Sequence, residues 1–90
     1  MANISHGMDV EEVKRLGGQL KHEADQIRDI ITRLNGAIDR TAWVGPDAVR
    51  FKNEWWPGHR DHLVNIGRDL DGFGQSALNN AREQEDVSGH

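Results

Sequence analysis

Trp43-Val44-Gly45-Pro46 is the stretch that decides how this chain folds. It separates two long segments whose apolar residues recur at helical spacing. It also joins a large ring, a residue free to take φ > 0 and a residue whose φ is already set. The combination is a turn between two helices.

Upstream of the turn, Val10, Val13, Leu16, Leu20, Ala24, Ile27, Ile31, Leu34 and Ile38 follow in steps of three and four. That is the spacing of one helical stripe, with no period-two alternation. It predicts a first helix over about residues 8–40. Asp9, Glu11 and Glu12 complement the dipole at its start. Glu11 with Arg15, Lys21 with Asp25 and Asp29 with Arg33 place opposite charges four apart on solvated faces. Gly17-Gly18 conflicts with this pattern, because each glycine costs about 1 kcal/mol against alanine in a helix interior. Two readings stay open: a notch that admits another helix closely, or a tolerated weak spot.

Downstream of a turn placed at residues 42–46, Pro46 suits the first helical position because the amide it lacks would have no partner there. The stripe resumes as Ala48, Phe51, Trp55, His59, His62 or Leu63, Ile66, Leu70, Phe73, Ala77 and Ala81. It predicts a second helix over about 47–82. Pro57 removes an amide and collides with the carbonyl of Asn53, at a cost of about 3 kcal/mol, so a kink is expected near 57 within one bent helix. Residues 1–7 read as a flexible arm and 83–90, rich in charge and nearly without apolar anchors, as a disordered tail. The domain is then a single hairpin over residues 8–82, all-α. Ile30, Trp56 and Leu78 widen the stripes beyond what two helices can cover. A second hairpin completing a four-helix bundle is the expected remedy.

Composition narrows the function. Ninety residues make one small domain, with 36% hydrophobic and 29% charged residues and no cysteine, and a mean hydropathy of −0.75. A chain this short buries a small share of its surface, so association is expected to contribute to stability. A net charge of −4 argues against nucleic-acid binding, which needs a basic patch. The acids also argue against membrane-surface binding, which favours Lys and Arg on the polar face of an amphipathic helix. The N-terminus lacks a basic region followed by an apolar run, so any export is expected to proceed without a cleaved signal peptide.

Candidate chemistry is sparse. His59-x-x-His62 has metal-ligand spacing, with His22 the remaining candidate, but an ordinary pair of polar positions beside the seam has the same spacing. Ser5, Ser76 and Ser88 lie in no nucleophile elbow, and Gly72-Phe73-Gly74 lacks the context of a phosphate loop. No catalytic, metal or cofactor site is expected, and the protein is read as non-enzymatic.

The two stripes, the midpoint turn Trp43-Val44-Gly45 and the aromatics that follow it, with Ala48, Phe51 and Trp55 (or Trp56), resemble the WXG100 family of helical hairpins of type VII (ESX) secretion. The resemblance covers nearly the whole chain. It implies an antiparallel hairpin that pairs with itself or with a related hairpin and leaves the cell in folded form, driven by an FtsK/SpoIIIE-like ATPase. It also implies a Tyr-x-x-x-Asp/Glu export signal after helix two, set beside the partner's turn. This chain has no tyrosine, and the nearest positions are Ala81 and Glu85. The resemblance therefore points to the half of a heterodimer that lacks the signal, with Trp43 and Gly45 forming the surface that completes the signal of its partner. A homodimer remains open. The competing class is a cytoplasmic helical adaptor that binds a partner helix. For the core of the hairpin or dimer, the stripes nominate Val13, Leu16, Leu20, Ala24, Ile27, Ile31, Leu34, Ile38, Ala48, Phe51, Trp55, Leu63, Ile66, Leu70 and Phe73.

Overall fold

The computed structural model describes residues 8–88, and all its regular elements are helical. Helix α1 spans Val10–Arg40. Its N-cap is Asp9, whose carboxylate accepts from the Glu12 amide at 3.1 Å, so the acid at this end caps the helix as well as complementing its dipole. After the turn, α2 spans Pro46–Arg50, a π-helical segment runs over Phe51–Trp55, and α3 spans Trp56–Ser88. These three run on as one continuous helical arm.

The arms are antiparallel. Residues that face each other climb one helix as they descend the other: Trp56 with Asn35, Gly67 with Ile27, Asp71 with Lys21, Gly74 with Gly17, and Glu85 with Lys14. The result is a rod of 66 × 17 × 15 Å with a radius of gyration of 19.9 Å. A compact domain of this length would have a radius of about 12 Å. Among the described residues, no helix is long and apolar enough to cross a membrane.

Small residues at intervals of seven set the distance between the arms. Gly17 and Ala24, followed by the larger Ile31, are the buried residues of α1, and on α3 Gly74 faces Gly17, Gly67 faces Ala24 and Ile27, and Ala81 continues the series. At Gly17 an added Cβ would lie 2.9 Å from the Gly74 carbonyl oxygen. At Gly74 it would lie 2.7 Å from the Gly17 carbonyl oxygen. Backbone therefore meets backbone at this level, which only glycine allows on both sides. The notch is intramolecular and belongs to Gly17 alone, since a Cβ on Gly18 would meet nothing within 4 Å.

So tight a seam changes the expected core. Trp56, not Trp55, is the ring buried between the arms, and its indole N–H donates to the Asn35 side-chain oxygen at 2.8 Å. Leu16, Leu34, Trp55, Ile66 and Phe73 do not pack inside the hairpin and stand exposed on its surface. Ala24, Ile31 and Ala48 are buried, while Val13, Leu20, Ile27, Ile38, Phe51, Leu63 and Leu70 are half-buried at the edge of the seam. The reason is geometric: small seam residues let the backbones approach, and large neighbours are pushed aside.

At Pro57 the helix continues. The Trp56 amide bonds back to the Phe51 carbonyl, a five-residue step that marks the π-helical turn just ahead of the proline. One wide turn there accommodates the collision that an α-helical proline would suffer. Residues 83–88, expected as loose tail, are helical. Ala81 is fully buried and the Lys14 ammonium sits 2.7 Å from the Glu85 carboxylate, which ties this end to α1. The predicted arm at residues 1–7 and the final two residues of the predicted tail lie outside the described residues.

The charge pairs also differ from the expected i,i+4 set. Lys21 reaches across the seam to Asp71 at 3.1 Å, Arg28 pairs with Asp25, and Lys14 pairs with Glu11 and Glu85. Lys14 and Lys21 border the seam, where a carboxylate on the other arm is as near as one on their own helix.

Candidate functional site

Two surfaces stand out, and they are continuous. The first is the turn. Thr41 closes α1 by donating its hydroxyl to the Ala37 carbonyl at 2.6 Å, and the Trp43 amide bonds to the Thr41 carbonyl at 3.0 Å. Gly45 then takes φ 112 and ψ 174, a region open essentially to glycine alone. Its carbonyl accepts from the Val49 amide at 3.1 Å and so starts the second arm at Pro46.

Lys52 holds the turn from below. Its ammonium lies 3.4 Å from the Thr41 carbonyl oxygen and 3.5 Å from that of Trp43, donating to both. Sequence spacing did not single out this residue. The available signal was a lysine one turn beyond Ala48, within reach of the carbonyls that α1 leaves open.

Trp43 lies over Phe51, with ring centroids 5.5 Å apart, and remains 42% exposed. Together with Ala37, Ile38, Thr41 and Lys52, these rings line a shallow hollow at the tip of the hairpin. Phe51 stacks on Trp55 at 5.0 Å, Trp55 on His59 at 4.1 Å, and His59 meets His62 at 6.3 Å. A ladder of rings therefore runs from the turn down the second arm.

The second surface is one broad side of the rod. Relative to the seam positions Gly17, Ile31, Gly67 and Gly74, the residues Leu16, Ile30, Ile66 and Phe73 each come one place earlier. Leu20, Ile27, Leu63 and Leu70 each come four places before a buried seam residue. At about 100° per residue, both offsets rotate in the same sense from the seam. On antiparallel helices the same sense leads to the same broad side. These large apolar residues of both arms therefore share one face, which Trp55 extends toward the turn, while Val64 and Leu78 are offset in the opposite sense. Lys14, Lys21, Arg28 and Asp71 are offset in the opposite sense, and the cross-arm ion pairs lie on the other side.

The apolar face is open. Phe73 is 61% exposed and Leu16 54%. The hydrophobic residues buried within the hairpin are Ala24, Ile31, Ala48, Trp56 and Ala81, so most of the large side chains lie outside its own core.

The remaining candidates fall in different places. Ala81 points into the seam with no accessible surface, and Glu85, itself exposed, pairs with Lys14. Lys14 is held above its ordinary pKa of 10.5, chiefly by the hydrogen bond to Glu85. No group of three or more His, Cys, Asp or Glu that could hold a metal ion occurs among the described residues. His22 therefore does not join His59 and His62.

The chain matches no protein-family model, no curated protein and no solved structure.

Proposed function

We propose that this protein is a non-enzymatic helical hairpin of the type VII (ESX) secretion kind, which pairs with a related hairpin into a four-helix bundle for export. The observation that carries the reading is the open apolar face, continuous with a glycine-dependent turn that bears an exposed tryptophan. A surface of this length and composition, on a rod with so small a core of its own, calls for a partner of matching length and apolar pattern. A second hairpin meets that requirement better than a single helix, because rows from both arms must be covered.

The partner is a heterologous hairpin that carries the Tyr-x-x-x-Asp/Glu signal. The present chain has no tyrosine, and its corresponding alanine is used inside the seam. Trp43 and Gly45 shape the surface beside which the partner's signal docks, and an FtsK/SpoIIIE-like ATPase reads the resulting tail. On this reading the protein pairs in the cytoplasm and is then secreted.

The test is co-expression with candidate companion hairpins in a host with a type VII ATPase, followed by chromatography with mass measurement and assay of the culture supernatant. A one-to-one complex whose appearance outside the cell needs the ATPase is the expected result. A homodimer that ignores every companion would remove the heterodimer. A cytoplasmic complex with an unrelated single helix, unaffected by loss of the ATPase, would favour an adaptor.

A further inference from the structure

His59 and His62 have no part in the hairpin seam, yet their geometry is specific. The His59 Nδ1 atom lies 2.8 Å from the Trp55 carbonyl oxygen. A carbonyl only accepts, so Nδ1 is the donor, and in the neutral ring this tautomer leaves the lone pair on Nε2. The ring is also stacked on Trp55 at 4.1 Å, which restrains its rotation. A backbone carbonyl that fixes the tautomer from behind is the usual support of a metal-bound imidazole.

His62 follows one helical turn later, exposed and without a hydrogen bond among the described residues. The two ring centroids are 6.3 Å apart. With metal–nitrogen bonds of about 2 Å, two imidazoles on one ion bring their centroids to about 5 Å at a tetrahedral angle and about 6 Å toward the linear limit. The observed separation is at or beyond the upper end of that range, so sharing an ion requires the exposed His62 ring to turn toward His59. Approach is unobstructed: the pair lines an open groove with Gly58, where an added Cβ would meet nothing within 4 Å. Arg50 and Glu54 border the same groove with opposite charges.

We infer that His59 and His62 form a two-imidazole binding site for a divalent transition metal, with water in the remaining positions. Two imidazole nitrogens without a third protein ligand favour Cu²⁺ over Ni²⁺ and Zn²⁺, following the general order of affinity for such donors. The site stands independently of the secretion reading, because it uses residues of this chain alone.

The test is titration of the full chain with CuCl₂ by calorimetry and by tryptophan fluorescence. Copper held by His59 lies against the Trp55 ring and quenches it. Expected are one equivalent bound with quenching, and a loss of affinity of about tenfold or more in each of His59→Gln and His62→Gln. His22→Gln should titrate as the parent. Trp55→Phe should keep the calorimetric binding and lose most of the quenching, which places the ion. Circular dichroism confirms that the exposed substitutions leave the helices intact. Parent-like copper affinity in the His59→Gln/His62→Gln double variant would overturn the assignment. So would quenching that survives Trp55→Phe undiminished.

Discussion

The fold requires the missing side chains of Gly45 and of the facing pair Gly17 and Gly74, and for different reasons. Gly45 occupies φ 112, where an L side chain is strained whatever the surrounding space. Gly45→Val should therefore cost about 1–3 kcal/mol in denaturant unfolding. Gly17 has an ordinary helical backbone but faces the Gly74 carbonyl at 2.9 Å from its absent Cβ. Gly17→Ala should destabilise by about 1–3 kcal/mol as the arms are pushed apart. Gly18→Ala should stabilise by about 1 kcal/mol through helix propensity, because its site is open. The pair Gly17-Gly18 is thus a sharp internal comparison. Equal effects from the two alanines in parallel unfolding curves would mean that the close crossing of the arms does not exist in solution.

For the second arm, the relevant interactions lie at its ends. The Phe51–Trp55 π-helical turn lets one helix pass Pro57, and the Lys14–Glu85 pair secures the far end to α1. Because the folded state raises the pKa of Lys14, its contribution is fully present below pH 10.5 and is lost as pH rises through the raised value. Amide exchange in residues 82–86, corrected for its intrinsic pH dependence, should therefore accelerate above that pH. Glu85→Gln should produce the same fraying at neutral pH, with little change in the midpoint of global unfolding, since exposed pairs contribute little. Much of this arm was legible in the sequence: the apolar spacing from Ala48 to Ala81 marks a helix, and Pro46 marks its start. That the helix reaches Ser88 was not legible, because the pair that extends it joins residues 71 positions apart.

Among the described residues, the rod has one side with the cross-arm ion pairs and one with most of the large apolar side chains, and the second is left open. Phe73→Glu and Leu16→Glu place a charge on that open face, at residues that contribute little to the hairpin's own core. Each should weaken pairing with another hairpin by about tenfold or more, corresponding to roughly 1.4 kcal/mol, while helix content by circular dichroism stays at the parent value. Sedimentation of the paired species measures the first effect. If Phe73→Glu leaves pairing unchanged, the apolar side is not the interface. Trp43→Ala should instead preserve pairing through the face and reduce ATPase-dependent export, read in culture supernatants. Export at the parental level would leave the tryptophan as a plug for the tip of the hairpin.

Period and punctuation along the chain were enough to specify the helices, the reversal at Trp43-Val44-Gly45-Pro46 and the amphipathic character of both arms, since these follow from local backbone preferences and the 3.6-residue repeat. Which apolar residues the hairpin keeps for itself was settled only in three dimensions. A stripe records that a side chain faces the general direction of a neighbour, but not how near the neighbour's backbone comes. Gly17 against Gly74 draws the arms together, Trp56 takes the seam in place of Trp55, and Leu16, Ile66 and Phe73 are turned outward as a consequence. The signal for that seam was the recurrence of small residues at seven-residue intervals, Gly67, Gly74 and Ala81, which looks like helix weakness until the second helix is in place.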